Sequence, residues 1–227
     1  MKRHINRTKF GLILIPLLML INAIPVKGQD KTIQSIFDVF KQRRSVRQYQ
    51  ATPVPKEHLE KILQAAAWAP NAGNQQPWKF LVIETEETKQ KLKEACIQRS
   101  MERIKNKTDW TQEQKDERIS STKEYYEGCF TAPVFVVVLT DNESTYPTYN
   151  HWDGPLAAGY LMLAARALGY GTVFYTDSIP DEVTKKVLNI PDRYTRVCIT
   201  PIGVPAEWPD APPKKELDEL VSYETIN

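Results

Sequence analysis

A chain of 227 residues, 41% of them hydrophobic, with 30 basic and 28 acidic side chains, is long enough to bury a substantial core. The formal charge of +2 comes with no basic stripe and no long like-charge block, so the residues give no support for a nucleic-acid or heparin surface. Three cysteines without CxxC spacing and three histidines, one of them His4, leave little material for a zinc site or a histidine-based triad, and neither GxSxG nor a P-loop occurs.

The first stretch reads as an address. "MKRHINRTK" is basic, "FGLILIPLLMLINAIPV" is apolar, and small residues precede Gln29, the order expected of a secretory signal over 1–28. Pro16 and Asn22 interrupt the apolar run, whereas a membrane span wants about 20 apolar residues; an uncleaved N-terminal membrane anchor is the alternative. Residues 1–28 hold five basic residues and no acid, so the formal charge falls from +2 to −3 without them. The remainder, 29–227, is expected to be one domain, exported to the periplasm. An oxidising compartment would permit a Cys96–Cys129 bridge, and buried free thiols are the simpler expectation.

Ile33, Ile36, Phe37 and Phe40 recur at helical spacing over 31–42, and the helix runs into the cluster Arg43, Arg44, Ser45, Arg47. A second helix starts at Pro55, places Leu59, Ile62, Leu63 and Ala66 on one face, and stops at Pro70. "KFLVIET" (79–85) predicts a strand, and the charged stretch that follows predicts helix with a break near 107–109. "PVFVVVLT" (133–140) is a β-branched run suited to a strand buried on both faces. An Ala/Leu-rich helix over 154–171 ends at Gly169 and Gly171, and "GTVFYT", "PDEVTKKVLNI" and "RVCITPIGVP" predict strand, helix and strand. The Pro-rich tail is expected to run over the surface or over a partner subunit. Interleaved helices and strands of this kind make an α+β (α/β layered) domain.

Four segments carry chemistry. Arg forks bind a phosphate bidentately, and in an extended segment Arg43, Ser45 and Arg47 project to one side; the competing reading is arginine compensating the negative end of a helix. "APNAGNQQPWKF" (69–80) presents Asn71, Asn74, Gln75 and Gln76, donors and acceptors suited to the rim of a heterocycle, or simply a polar capping loop. "LGYGTVFYT" has a single GxG, a weak dinucleotide signal. Lys214 and Lys215 are most simply solvated.

In their joint order, "RRSVRQY", "APNAGNQQPWKF", "LGYGT" and "IGVPAEWP…PPKK" resemble the FMN-dependent nitroreductase family along essentially the whole of 29–227. The resemblance implies a central mixed sheet flanked by helices, an intertwined homodimer and two FMN sites across its interface. It implies that Arg43, Arg44, Ser45 and Arg47 hold the FMN phosphate, closed by Lys214 and Lys215, with Arg44 acting through its backbone. Pro70, Asn71, Asn74, Gln76 and Pro77 match a loop contributed by the other subunit, with Asn71 where the family usually has Ser. The backbone at Tyr175, Thr176 and Asp177 is implied to lie near the flavin edge, although Gly is common in relatives at the last two positions. No side-chain acid or base is required, and none is assigned.

The implied activity is two-electron, ping-pong reduction of nitroaromatics, quinones or similar small acceptors, with NAD(P)H as donor. Reductive dehalogenation of an aromatic, or an exported flavin-binding protein without NAD(P)H-dependent activity, are the alternatives. Trp110, Tyr125, Tyr126 and Phe130 in the insert at 96–130 are candidates for an aromatic lid, or for packing the insert onto the dimer. N-terminal sequencing of the protein from native cells is expected to begin at Gln29; an intact Met1 terminus would identify an anchor instead.

Overall fold

The computed structural model describes residues 35–226; the expected leader and the first turn of the helix expected over 31–42 lie outside the described residues. The fold is set by one strand. Six consecutive apolar residues, Val134 to Leu139, leave β2 (Val134–Asp141) with no polar side to turn to water, so both faces require cover. Its neighbours are β1 (Trp78–Ile83) and β3 (Tyr194–Ile202), both antiparallel, in the order β1-β2-β3. Trp78 stands opposite Thr140 and Val134 opposite Ile202, with an irregularity in register at Val138/Leu139.

The twofold period of the strand sorts the core. Val134, Val136 and Val138 pack with Leu59, Ile62 and Ala66 of α2 (Lys56–Ala67) and with Ala158, Leu161 and Ala165 of α5 (Asn150–Ala167). Phe135, Val137 and Leu139 face the other way, against Leu92 and Cys96 of α3 (Glu86–Lys105), Tyr126 of α4 (Gln112–Cys129) and Val183 of α6 (Asp181–Leu188). Each fully buried aliphatic side chain contributes about 2 kcal/mol of transfer free energy. Phe130 stacks on Phe135 with ring centroids 4.9 Å apart, so it belongs to the core and not to an aromatic lid.

Several boundaries differ from expectation. α5 begins at Asn150 and holds Pro155 inside as its sixth residue, where the ring leaves the His151 carbonyl without its i→i+4 donor. "GTVFYT" forms no continuous strand. Gly171 bridges Gly203 and Tyr175 bridges Ile199, antiparallel to β3, while Ser45 bridges Thr172 in parallel, which gives the sheet its mixed edge. A Cβ on Gly171 would lie 2.6 Å from Val46 Cγ2 and 2.9 Å from Pro205 Cγ, so this close approach of segments depends on glycine. Pro55 caps α2 from outside the helix, and α2 ends at Ala67 before Pro70.

α1 (Ile36–Gln42) is capped by Ser35, whose hydroxyl accepts from Asp38 N–H while Asp38 accepts from Ser35 N–H. Ile36, Phe37 and Phe40 point outward, and Val39 is the residue that packs inward. Among the described residues no helix is long and apolar enough to cross a membrane.

Cys96, Cys129 and Cys198 are free and buried. Burial pushes the Cys96 and Cys198 thiols up to about 12 from their ordinary 9.0. The native state therefore holds these protons where the unfolded chain releases them. Their contribution to stability is complete below pH 9.0 and declines as pH rises towards 12. Iodoacetamide at neutral pH is expected to label none of the three thiols in the native protein and all three after denaturation.

Candidate functional site

The chain leaves α1 at Arg43 in extended conformation and enters the open edge of the sheet. Val46 N–H donates to Thr172 O at 3.0 Å, Gln50 N–H to Val204 O at 2.9 Å, and Ala206 N–H to Gln48 O at 3.0 Å. Tyr49 N–H donates to Thr131 Oγ1, and its hydroxyl donates to Val46 O at 2.6 Å. Buried Val46 turns inward and Arg47 outward. The four residues of the arginine cluster thus divide. Arg44 donates to Lys41 O at 2.7 Å and Arg43 O at 2.9 Å, which is the helix-end role, and its side chain is committed there. Ser45 is half-buried on the bridge to Thr172 and Arg43 half-buried at the helix exit. Arg47 donates to Ser45 O at 3.2 Å, makes no ion pair among the described residues, and lines a cavity of about 650 Å³.

The same cavity takes Asp177 and Ser178 from the loop after Tyr175, and its opposite wall is the α3–α4 pair. Ser100 and Arg103 reach it from α3, Lys107 and Trp110 from the connection, and Arg118 and Tyr125 from α4. Tyr126 also lines it, with its hydroxyl donating to Ser178 O and meeting Ser100 Oγ at 3.1 Å. Three of the four aromatic residues expected over the site therefore meet in one cavity.

The loop bearing Asp177 is held by a residue that sequence reasoning missed. Arg196 donates to Ile179 O at 2.6 Å and to Thr176 O at 2.9 Å, and pairs with Asp181 at 3.0 Å. Tyr175 departs from its expected role. Its N–H and C=O both pair with Ile199, and its hydroxyl lies 2.9 Å from Cys129 Sγ, so it supports the loop from within the core. Burial first, then the neighbouring Cys129, drives its hydroxyl far above the ordinary phenol value. Thr176 is exposed beside it.

The loop 70–76 forms a second, separate surface; none of its residues lines the Arg47 cavity. Pro70, Asn74 and Gln76 are exposed, while Asn71 is turned onto its own loop, accepting from Gln76 N–H at 2.8 Å and donating to Ala69 O at 3.3 Å. Gly73, Asn74 and Gln76 have φ of 56°, 53° and 48°, a left-handed run that persists only where neighbours hold it. Those neighbours are Gln75, which donates to Asp153 Oδ2 at 2.8 Å and accepts from Tyr146 N–H at 2.7 Å, and buried Asp153, which also accepts from Ala72 N–H at 3.1 Å. Asp153 sits in the first turn of α5, where the helix dipole favours a carboxylate.

Lys214 and Lys215 are exposed on the tail, and among the described residues no hydrogen bond or ion pair joins them to the arginine cluster. The tail does approach it at Trp208. The Arg166 guanidinium stacks 3.9 Å from the Trp208 ring centroid and donates to Gln42 Oε1 at 2.7 Å, one residue before Arg43. A lone Arg in an Ala-rich helix and a Trp in a Pro-rich tail give no sign of their pairing in the sequence.

A sequence profile described as "Nitroreductase family" matches residues 40–204, from the arginine cluster through β3. The chain belongs to the nitroreductase family. An iodotyrosine deiodinase of Thermotoga neapolitana is 30% identical over 195 residues, covering 86% of this chain and all of the relative. The crystal structure of an oxidized iodotyrosine deiodinase bound to FMN and 3-iodo-L-tyrosine superimposes with TM-score 0.68 at 28% identity, covering 85% of this chain and all of the other. An FMN-dependent nitroreductase of Clostridium difficile gives TM-score 0.62 at 27% identity over 84% of this chain and 99% of the other.

FMN is the cofactor of this member of the nitroreductase family, and the residues present suit it. An unpaired guanidinium at Arg47 meets the needs of a phosphate, and an aromatic-walled cavity those of a broad ring with a polar rim. Replacing Asp153 with Ala removes its two hydrogen bonds to the 71–76 loop and leaves the Gln75–Tyr146 contact. Urea unfolding is expected to show a loss of about 3 kcal/mol, two hydrogen bonds to a buried carboxylate being at stake.

Proposed function

We propose that the protein is an FMN-dependent oxidoreductase that reduces small aromatic acceptors, with NAD(P)H as donor in a ping-pong cycle. The observation that carries this reading is the single cavity that unites Arg47, the Asp177–Ser178 loop and the aromatic wall of α3 and α4. FMN held there would supply the two-electron redox chemistry between donor and acceptor. The chain's part is to bind and orient. Arg47, with Ser45 and Arg43, anchors the phosphate. Arg196 fixes the loop at 176–178 beside the ring, and Trp110 and Tyr125 confine an acceptor and exclude water.

The second half of the site is assigned to another copy of the chain. Phe37 and Phe40 on α1, Trp68 at the end of α2, and Trp152, Leu156 and Tyr160 on α5 are all more than 40% exposed. The three α5 residues recur every fourth position and form one outward stripe. Apolar surface of this extent marks a contact surface. A homodimer that covers it supplies the 70–76 loop, with Pro70, Asn74 and Gln76 exposed, to the cavity of the opposite protomer.

A second reading, reductive dehalogenation of an aromatic, is favoured by the likeness to iodotyrosine deiodinases. Anaerobic mixing of the NAD(P)H-reduced protein with a nitroaromatic and with 3-iodotyrosine separates the two: the first predicts fast reoxidation by the nitro compound, the second release of iodide. Failure of both pyridine nucleotides to bleach the flavin would remove NAD(P)H as donor. The purified protein is expected to be yellow and dimeric. Arg47→Ala is expected to weaken FMN retention by at least about tenfold, a charge-assisted phosphate contact being lost, whereas Arg44→Ala retains the colour. Trp152→Glu with Leu156→Glu is expected to give a colourless monomer by ultracentrifugation.

A further inference from the structure

The geometry points to an acceptor that is an aromatic anion without a compensating ammonium group, selected by Arg103, Lys107 and Arg118. This rests on the reading of the Arg47 cavity as the place where a small aromatic is reduced.

The insert is rich in cations, but they are not equivalent. Arg99, away from the cavity, pairs with Glu182 at 2.8 Å, as Lys91 does with Glu87 at 2.6 Å and Lys93 with Glu127 at 2.7 Å earlier on α3, whereas Lys105 and Lys123 stand on the outer surface. Arg103, Lys107 and Arg118 all line the cavity, and among the described residues none has an ion pair or a side-chain hydrogen bond. They come from three different places: the last turn of α3, the connection, and the middle of α4. Helix pairing brings them together. Glu182, on α6 opposite this end of α3, is bonded to Arg99.

Like charges gathered on one wall repel one another and raise the local potential, and an anionic ligand relieves both effects. Trp110 and Tyr125 on the same wall offer flat faces to an aromatic body. Among the described residues the only carboxylate lining the cavity is Asp177, on the side of Arg47, with Glu117 on an adjoining recess that shares Trp110 and Arg118. An ammonium-bearing acceptor therefore meets an excess of positive charge. A zwitterionic amino acid such as the 3-iodo-L-tyrosine of the deiodinase structure would gain at its carboxylate and lose at its ammonium.

The test uses the FMN-loaded full-length or signal-processed protein, reduced anaerobically with stoichiometric dithionite so that no donor preference enters. Reoxidation is followed at the flavin absorbance with 4-nitrobenzoate, nitrobenzene and 4-nitrobenzylamine, which differ chiefly in charge. The expected order of kcat/KM is anion, neutral, cation, with anion over neutral about tenfold, as three partly screened contacts of a few-fold each would give. That ratio falls towards one in high salt and in Arg103→Gln with Arg118→Gln, and Arg118→Glu moves the preference towards the amine. Lys107→Gln alone, on the connection, gives a smaller fall in the same direction should the double variant not fold.

Equal kcat/KM for the three acceptors, or a loss in the variants that is the same for all three, overturns the proposal. So does a double variant that purifies without flavin, because the cations would then be holding the cofactor phosphate. A binding arm separates this inference from the reading it rests on. Benzoate, benzyl alcohol and benzylamine are titrated into the oxidised protein and followed by the flavin spectrum. Tighter binding of benzoate with no acceptor reduced supports the charge selection and refutes the proposed activity; no preference for benzoate refutes the charge selection whatever the activity.

Discussion

The double burial of β2 is the constraint on which the rest of the molecule depends. A strand with no polar face cannot lie at a surface, so helices must cover it on both sides, and the sheet can open only at its edges. One edge, beyond β3, is closed by the bridges of 171–175 and by the segment 45–50. That closure carries Arg47 outward and places it against Asp177. The α3–α4 pair, needed on the second face of β2, extends past the sheet and supplies the remaining wall. The cavity is thus a by-product of covering a strand, furnished with charges afterwards.

What could be read in advance follows from the range of the interactions involved. The apolar run of β2, the helical period of α2 and α5 and the break between α3 and α4 are local signals, and they stand at or near their expected places. The start of α5 was missed because Pro155 and two preceding aromatic residues look like a loop until the Asp153 carboxylate is seen holding Ala72 and Gln75. "GTVFYT" has the composition of a strand but pairs at isolated positions, because β3 carries its main ladder with β2. Arg196, Arg166 and Trp208 act across tens of residues, and nothing in their immediate neighbours announces a partner.

The arginine cluster shows the same division inside five residues. Local physics, the negative end of a short helix, describes Arg44 fully. Tertiary pairing of Val46 with Thr172 is what frees Arg47 for a ligand. The helix-end reading is met at Arg44, and the phosphate reading rests on the role proposed for Arg47. The loop 70–76 is similar: its left-handed residues look like strain without purpose in one protomer, and are held by Asp153 and Gln75 in advance of any contact. A site preset in this way loses little conformational entropy when it closes on a ligand.

The pairing of 45–50 with 172 and with 204–206 has a consequence for how the protein is made. The segment that carries Arg47 leaves the ribosome early, yet its hydrogen-bond partners at Val204 and Ala206 are more than 150 residues behind it. Until they emerge, the arginine-bearing segment has only Thr131 and Thr172 to pair with, and non-local contacts of that span form late. The helices and the antiparallel β1–β2 pair can assemble in the meantime. The segment bearing Arg47 is then among the last parts of the chain to be fixed in place.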